Sequence, residues 1–387
     1  MKKRLLVNWA FYRPVGHLLE ALQHAYGYYS ANCDKVDVFV AVNAASPITL
    51  VEACPWVSGV YPIDVAEVIA DGEAASSIRA MGTDWDYVIT DSRLRLELLR
   101  PHKDASQLIA LQSALQGYLK GSVWTGFSRG WECRWNTTGL IGTDDPLPFA
   151  ANARFRIPIP QDAQMFARRY QHDGAIFYVI PGGFIGPQRR PSLEAWREIL
   201  AALAAELPNL RVYVTGVSAS VSGQSYTRGV TANDVDLLAQ KLPFVTNCFD
   251  IGLWNQIGLM AASDVLLAPH TGFAFLGQFV GTPWLALSGC PWPEYLFNGV
   301  PFYSVIPECE SYPADGRKDS ECNQRLARGR KTVCMEDESL RARIPDVIRG
   351  AHFLLDSKTT YERAIHTHVE NLKRRNRSFE WFQYFLG

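Results

Sequence analysis

The first residues that could take part in catalysis or binding are Gly16 and His17. They follow the apolar run RLLVN and begin a helix-like stretch. Glycine permits a tight turn and the close approach of a ligand. Imidazole titrates near neutral pH, so a histidine at this point suits a general base. His17 is therefore a candidate catalytic base, although a structural histidine at a helix start accounts for the same residue equally well.

A second candidate pair, Asp91 and Arg93, comes directly after the strand-like run DYVIT. Residues at the carboxyl ends of parallel strands face the edge of the sheet where ligands bind. Asp91 would then bind a substrate hydroxyl or act as a second base, with Arg93 beside it. Capping of the following helix is the alternative role for Asp91.

The segment IPGGFIGPQRRPSLEAW, residues 180–196, has the composition of an anion-binding loop. The amides of Gly182 and Gly183 can approach phosphate oxygens closely. Arg189 or Arg190 can clamp such oxygens with two hydrogen bonds. The spacing matches neither the dinucleotide-binding motif nor the Walker motif, which argues against hydride transfer and NTP hydrolysis. A surface loop that binds nothing is the alternative.

The segment APHTGFAFLGQFVGTP passes directly from an apolar strand into an apolar helix. Thr271 is predicted to cap that helix, so that the amides of Gly272 and Phe273 point out of its positive end. A helix N-terminus at the carboxyl edge of a parallel sheet is a ready site for a diphosphate. His270 adds a hydrogen-bond donor at the same place.

Short apolar strands alternate with amphipathic helices along most of the chain, which predicts an α/β fold with doubly wound parallel sheets. The pattern occurs twice, so we expect two Rossmann-like domains that face each other across a cleft. The predicted domains are residues 1–165 and 166–356, followed by a helix over 357–387 that packs on the body. A membrane-surface helix is the alternative for that tail.

The composition restricts the classes of partner and the compartment. A net charge of -1 over 387 residues offers no basic field for nucleic acid and indicates at most peripheral membrane contact. No apolar run reaches the ~18 residues that span a bilayer. The eight cysteines form no C-x-x-C pair, which favours reduced thiols and a cytoplasmic location. A metal or a disulfide is the alternative for the cluster of Cys309, Cys322 and Cys334.

The segment ASDVLLAPHTGFAFLGQFVGTPWLALSG resembles the donor-site segment of the ADP-heptose:lipopolysaccharide heptosyltransferase family, which has the GT-B glycosyltransferase fold. VGHLLEAL is similar to the family's G-D-x-L-L segment, and DYVITDSR and WTGF are similar to two further segments. RRPSLEAW resembles K-x-W-P-x-x-x-W and places Arg189 at the phosphate-binding lysine. VCMEDESLRARIPDVIRGAHFLL resembles the family's C-terminal stretch. The resemblance spans most of residues 1–355.

The resemblance implies an inverting glycosyltransferase that moves a heptose or a related sugar from a nucleotide-diphospho-sugar to an acceptor hydroxyl. The helix dipole and the arginines would stabilise the departing diphosphate, so no metal or other cofactor is expected. The C-terminal domain would bind the donor through the glycines and arginines named above, Gly216 and residues 270–273. The N-terminal domain would bind the acceptor through Gly16, Asp91 and Arg93, with His17 as the base.

Three positions depart from the family pattern. His17 stands where the family has the aspartate of G-D, its catalytic base, and His270 replaces the aspartate of D-T-G. Phe275 falls at a later family histidine. A shifted donor or acceptor is therefore expected, the acceptor being a lipopolysaccharide-like glycan, a small natural product or a protein hydroxyl. A non-catalytic nucleotide-sugar-binding protein and a nucleotide-sugar 2-epimerase are the alternative functions.

Overall fold

The computed structural model describes residues 2–10, 15–90, 105–119, 123–127, 140–141, 147–150, 153–183, 187–218, 226–289, 299–309, 312 and 321–377. The chain divides into two compact units, with the boundary between Pro158 and Ile159. Each unit contains one six-stranded sheet. None of the helices in these ranges combines the length and the apolar composition that a bilayer crossing requires.

The first unit is an α/β structure whose chain order alternates between strand and helix over most of its length. Its strands are β1 (Lys3–Trp9), β2 (Val36–Asn43), β3 (Val57–Ile63), β4 (Tyr87–Thr90), β5 (Val123–Phe127) and β6 (Leu140–Ile141). Its helices are α1 (Val15–Asn32), α2 (Thr49–Glu52), α3 (Val65–Asp71), α4 (Ser76–Arg79) and α5 (Ala105–Tyr118), with a 3-10 turn at Gly72–Ala74. The sheet order is β3-β2-β1-β4-β5-β6.

The second unit repeats this alternation. Its strands are β7 (Ile176–Val179), β8 (Arg211–Gly216), β9 (Val245–Phe249), β10 (Val265–Pro269), β11 (Trp284–Leu287) and β12 (Phe302–Val305). Its helices are α6 (Gln161–Arg168), α7 (Leu193–Glu206), α8 (Ala232–Lys241), α9 (Leu253–Ala261), α10 (Leu276–Val280), α11 (Glu321–Ala327), α12 (Asp337–Ala342), α13 (Ile344–Leu355) and α14 (Tyr361–Arg374). The 3-10 turns are Pro187–Arg189, Gly272–Phe275 and Val333–Met335. The sheet order is β12-β11-β10-β7-β8-β9.

Four strands of the second sheet are largely apolar and fully buried, because both faces of the sheet are covered there. Every residue of β7, β10, β11 and β12 is buried. Apolar residues of α7, α8 and α13 pack against one face of this sheet and form the core of the unit. Strands without alternation between polar and apolar residues are typical of parallel sheets in α/β proteins.

The prediction of doubly wound α/β sheets is confirmed. All strand pairs of the second sheet are parallel. In the first sheet β5 and β6 are antiparallel, so the expectation of purely parallel pairing is wrong at this edge. Mixed sheets of this kind are common, since an edge strand can pair antiparallel without a crossover helix.

The C-terminal helix α14 buries one apolar face in the second unit. Its buried residues include Ile365, Val369 and Leu372. Arg375, which follows the helix, has two carboxylate partners: it lies 3.8 Å from Asp346 and also pairs with Glu308. Residues 378–387, which include the aromatic end of the tail, lie outside the described residues.

The three C-terminal cysteines pack in one small apolar cluster with Met335 and Leu340. Cys322 is disulfide-bonded, whereas Cys309 and Cys334 are free thiols. The expectation of reduced thiols is therefore wrong for Cys322. Within the described ranges, no group of three or more His, Cys, Asp or Glu side chains is arranged to hold a metal ion.

Helix α9 packs so closely on α6 that Gly258 leaves no room for a methyl group. A Cβ at this position would lie 2.6 Å from the carbonyl oxygen of Ala163. We expect Gly258→Ala to lower the free energy of unfolding by about 1–3 kcal/mol, because backbone atoms must move apart. Urea unfolding followed by tryptophan fluorescence measures the change.

The matched control is Gly117→Ala in α5. The atoms nearest to a Cβ there belong to the flexible carboxylate of Glu73, which can turn away. This substitution should be neutral or stabilising by up to about 1 kcal/mol, because alanine is the better helix former. Equal destabilisation by both substitutions would contradict the packing argument.

Candidate functional site

The first sheet has a topological switch point between β1 and β4. The chain runs outward from β1 through β2 to β3 in one direction and from β4 to β5 in the other. Ligands of open α/β sheets bind outside the carboxyl ends of the strands at such a point. His17 lies in the first turn of α1, the helix that follows β1. It therefore belongs to the segment that leaves β1 at the switch point.

His17 forms a pair with Glu20, which sequence reasoning missed. His17 Nδ1 lies 3.2 Å from Glu20 Oε2, with the histidine side chain 33% exposed and the glutamate 17% exposed. Side chains three residues apart on a helix are neighbours, so the spacing His-x-x-Glu at a helix start was the signal. A carboxylate accepts hydrogen bonds and cannot donate them. Glu20 therefore favours the tautomer with the proton on Nδ1, in which Nε2 carries the lone pair.

Gly16 precedes His17 in the same turn of α1 and is half-buried. Its predicted contact with an acceptor stays a prediction. Asp91 and Arg93 lie outside the described residues. The structure therefore brings together Gly16, His17 and Glu20 from the candidate residues of the first unit.

The second sheet has its switch point between β7 and β10, which are paired in parallel. Gly183 follows β7 and Thr271 follows β10, and the two residues are in contact across this point. A Cβ on Gly183 would overlap the hydroxyl of Thr271, whose side chain is buried. The backbone after β7 can lie against Thr271 only because residue 183 has no side chain.

The predicted helix cap at Thr271 is wrong. The Thr271 side chain makes no capping hydrogen bond, and the segment that follows is a 3-10 turn before α10 begins at Leu276. Its hydroxyl instead lies against Gly183, which is remote in sequence. Gly272 and Phe273 form the first positions of the 3-10 turn. Their amides precede the first intrahelical hydrogen bonds, as expected at a helical N-terminus.

Two of the positions that depart from the family pattern are in contact with each other. The ring centroids of His270 and Phe275 are 5.8 Å apart, with their planes at 71°. Phe275 in turn packs edge-on against Trp284, at 6.2 Å. An aromatic ring at position 275 thus gives the imidazole of His270 a partner, and the two departures form one local arrangement.

Gly216 ends β8 at the same edge of the second sheet, and packing explains why it is a glycine. A Cβ there would overlap the ring of Phe249. Its carbonyl oxygen accepts hydrogen bonds from the Asp250 amide at 3.0 Å and from Gln256 Nε2 at 3.1 Å. These contacts fix the backbone at the strand end, and donor binding by Gly216 stays a prediction.

Arg189 and Arg190 end the loop that follows β7. Burial lowers the pKa of both guanidinium groups below their ordinary values. The Arg190 side chain runs past Gly182, where a Cβ would lie 3.0 Å from its Cδ, and its Nη1 donates to the carbonyl of Arg228. Gly182 and Arg190 therefore lie together at this edge. Anion binding by this loop stays a prediction.

No family model matches the chain, and no curated protein matches it in sequence. Among solved structures, the ADP-heptose lps heptosyltransferase II of E. coli is similar, with a TM-score of 0.54, 13% identity, and coverage of 90% of this chain and 99% of that chain. A glycosyl transferase of family 9 from Veillonella parvula is similar with a TM-score of 0.52, 13% identity and coverage of 92% and 98%.

A UDP-N-acetylglucosamine 2-epimerase is also similar, with a TM-score of 0.46, 11% identity, and coverage of 94% of this chain and 90% of that chain. This score is too low to carry an argument. The likeness to the two transferases shows that this chain has the GT-B fold. The predicted resemblance to heptosyltransferases is thereby confirmed for the fold.

The contact between Gly183 and Thr271 is testable by a double-mutant cycle. We expect Gly183→Ala to lower the melting temperature, because the new methyl group overlaps the threonine hydroxyl. Thr271→Ala removes that hydroxyl, so the double variant should lose less stability than the sum of the two single variants. Additive losses in thermal unfolding would show that the two residues are not in contact.

Proposed function

We propose that the protein is a glycosyltransferase that moves a sugar from a nucleotide-diphospho-sugar to an acceptor hydroxyl. The observation that carries the proposal is the pair of His17 and Glu20 at the start of the helix after β1. Activation of a hydroxyl requires a base near neutral pH, and a histidine whose second nitrogen is held by a carboxylate is suited to that task.

The second unit supports donor binding by its charge and its backbone. Arg190 supplies a cation next to the backbone of Gly182, and Arg189 directly precedes it at the end of a 3-10 turn. Preorganised cations and amides stabilise the negative charge that develops on a leaving diphosphate. With these groups and the 271–273 amides as donors, the proposed reaction requires no metal ion.

In the proposed reaction His17 Nε2 takes the proton of the acceptor hydroxyl while its oxygen attacks the anomeric carbon. The bond from that carbon to the diphosphate breaks, and its electron pair leaves with the diphosphate. Attack from the face opposite the leaving group inverts the anomeric configuration. Glu20 stabilises the imidazolium that forms. Each proton and electron pair thus has a defined destination.

The donor sugar is proposed to be a heptose or a related sugar, with His270 and Phe275 beside it. This arrangement replaces the acid that the resembling family carries at position 270, so a sugar with a different pattern of hydroxyls is expected. The acceptor is a lipopolysaccharide-like glycan, a small natural product or a protein hydroxyl.

A panel of nucleotide-diphospho-sugars, each incubated with and without these three classes of acceptor, tests the reaction. Transfer of sugar with release of the nucleoside diphosphate supports the proposal. Formation of an epimerised donor without acceptor would instead assign a 2-epimerase. Donor binding in calorimetry without turnover on any acceptor would assign a non-catalytic binding protein.

We expect His17→Ala to lower kcat by about 10²–10⁴-fold, the usual contribution of a general base, and to leave the KM for the donor unchanged. Glu20→Gln should lower kcat less, because the imidazole remains but its orientation and charge partner are weakened. Steady-state kinetics of sugar transfer measures both.

Glu52→Gln is the matched control, since Glu52 is an exposed carboxylate of the same unit. It should leave kcat and KM as they are in the unmodified protein. Full transfer activity of His17→Ala would refute the assignment of the base. A Glu20→Gln variant that changes the donor KM and not kcat would refute the orienting role of Glu20.

A further inference from the structure

Two sulfur atoms of the C-terminal cysteine cluster are in contact, and only one of them belongs to a disulfide. Cys322 lies in α11 and is disulfide-bonded, whereas Cys309 follows β12 and is a free thiol. Cys309 Sγ lies 3.5 Å from Cys322 Sγ. A disulfide is exchanged when a thiolate attacks one of its two sulfur atoms. The attacking group and its target are therefore already neighbours in this structure.

Both sulfur atoms are shielded from solvent. Cys309 is 5% exposed and Cys322 is 0% exposed. They pack in the cluster with Ala195 from the first turn of α7, Met335 from a 3-10 turn and Leu340 from α12. A dissolved thiol has little access to Cys322 Sγ unless the protein opens locally. A neighbouring thiol of the same chain provides a route that requires no such opening.

The backbone around Cys309 is anchored on both sides. The carbonyl of Cys309 accepts a hydrogen bond from the Tyr312 amide at 3.1 Å. The preceding residue, Glu308, pairs with Arg375 through its side chain, and its carbonyl accepts a hydrogen bond from Arg377 Nη2 at 2.8 Å. A reactive group that is held about 3–3.5 Å from its target acts at a high effective concentration. The thiol of Cys309 meets this condition.

A positive charge lies beside the cluster. The guanidinium of Arg343 is buried, and it donates to the carbonyl oxygens of Cys334, Val305 and Ser288. Val305 is the last residue of β12, the strand that Cys309 follows. Exchange moves a negative charge from one sulfur atom to another, and a nearby cation favours the thiolate form of cysteine. The cluster therefore combines an apolar interior with a cation at its edge.

The third cysteine of the cluster provides an internal comparison. Cys334 is a free thiol whose Sγ donates to Thr332 Oγ1 at 3.4 Å. An ion pair between Lys331 Nζ and Asp337 Oδ1, at 3.0 Å, spans its segment. Cys334 is 1% exposed, so it is at least as buried as Cys309. Burial does not distinguish the two thiols, whereas the contact of Cys309 with the disulfide sulfur does.

We infer that Cys309 and Cys322 form a thiol–disulfide exchange site. The thiolate of Cys309 attacks Cys322 Sγ, and a bond forms between these two sulfur atoms. The existing disulfide bond of Cys322 breaks, and its electron pair leaves with the former partner cysteine, which becomes the free thiolate. One disulfide replaces another, so the step consumes neither an oxidant nor a reductant.

The exchange changes which segment is covalently linked to α11. In the product, α11 is linked through Cys322 to the segment that follows β12. The chain therefore has two alternative disulfide forms with the same number of oxidised cysteines. The covalent restraint on α11 moves between them without access of an external thiol to the buried sulfur atoms.

Disulfide mapping of the full chain tests the exchange. The native protein is incubated at mildly alkaline pH without reductant and is then quenched in acid, because protonated thiols do not attack disulfides. Digestion with pepsin in acid, followed by mass spectrometry, identifies each linked pair. We expect peptides linked through Cys309 and Cys322. Absence of this linkage, including a Cys322 that is found only as a free thiol, would overturn the inference.

Two substitutions establish which thiol attacks. Cys309→Ser should abolish the new linkage and leave the original disulfide of Cys322 as the only one. Cys334→Ser is the matched control, since it removes a buried free thiol of the same cluster, and it should retain the linkage between Cys309 and Cys322. Circular dichroism checks that both variants fold.

The specificity of the exchange is measured in the unmodified protein, so it does not depend on the folding of a variant. Linkage of Cys322 to Cys334 or to Cys248 that is as abundant as linkage to Cys309 would show unspecific rearrangement, and would also overturn the inference. The mapping needs no turnover, so its result is independent of the proposed transfer reaction.

Discussion

The site in each unit depends on one constraint, which is that neighbouring parallel strands are joined by right-handed crossovers. In the second sheet, β7 to β9 advance in one direction and β10 to β12 in the other. The connections that leave β7 and β10 therefore run to opposite faces of the sheet. A crevice is expected between them, outside the carboxyl ends of these two strands. The same holds for β1 and β4. Most of the candidate residues come from segments that this constraint brings to one edge of a sheet.

The missing Cβ atoms of glycine determine how closely those segments pack. Gly183 admits the hydroxyl of Thr271, and Gly216 admits the ring of Phe249. Gly229 admits the guanidinium of Arg190. In each case the partner side chain is distant in sequence from the glycine, so a local turn does not explain why the residue is a glycine. Gly183 and Gly216 lie at strand ends and Gly229 lies shortly before α8, so the absence of a Cβ lets each of these backbone segments pack against a distant side chain.

The features that the sequence predicted are those that depend on local pattern. Continuous apolar runs identified the strands. A helix cap is also local where it forms: Ser192 Oγ accepts a hydrogen bond from the Ala195 amide, three residues away. Thr271 has the same residue type as a helix cap, but its hydroxyl lies against a glycine 88 positions earlier, which no local pattern reveals. Glu20 could have been predicted from the sequence, since it lies three residues after His17 and side chains at that spacing are neighbours on a helix. The position of Lys331 could not be predicted, because its segment reaches the loop after β7 through contacts that are remote in sequence, such as the bonds from Thr332 to Gln188.

Arginine rather than lysine at position 190 has a physical consequence for the second unit. A guanidinium offers five N–H donors in a rigid plane, whereas an ammonium is a compact point charge. Arg190 can therefore give one donor to the carbonyl of Arg228 and keep others for a ligand. The bond to Arg228 holds the side chain in a place that burial disfavours for a cation. A site built in this way is preorganised, and the binding free energy of an anion is not consumed in positioning the arginine.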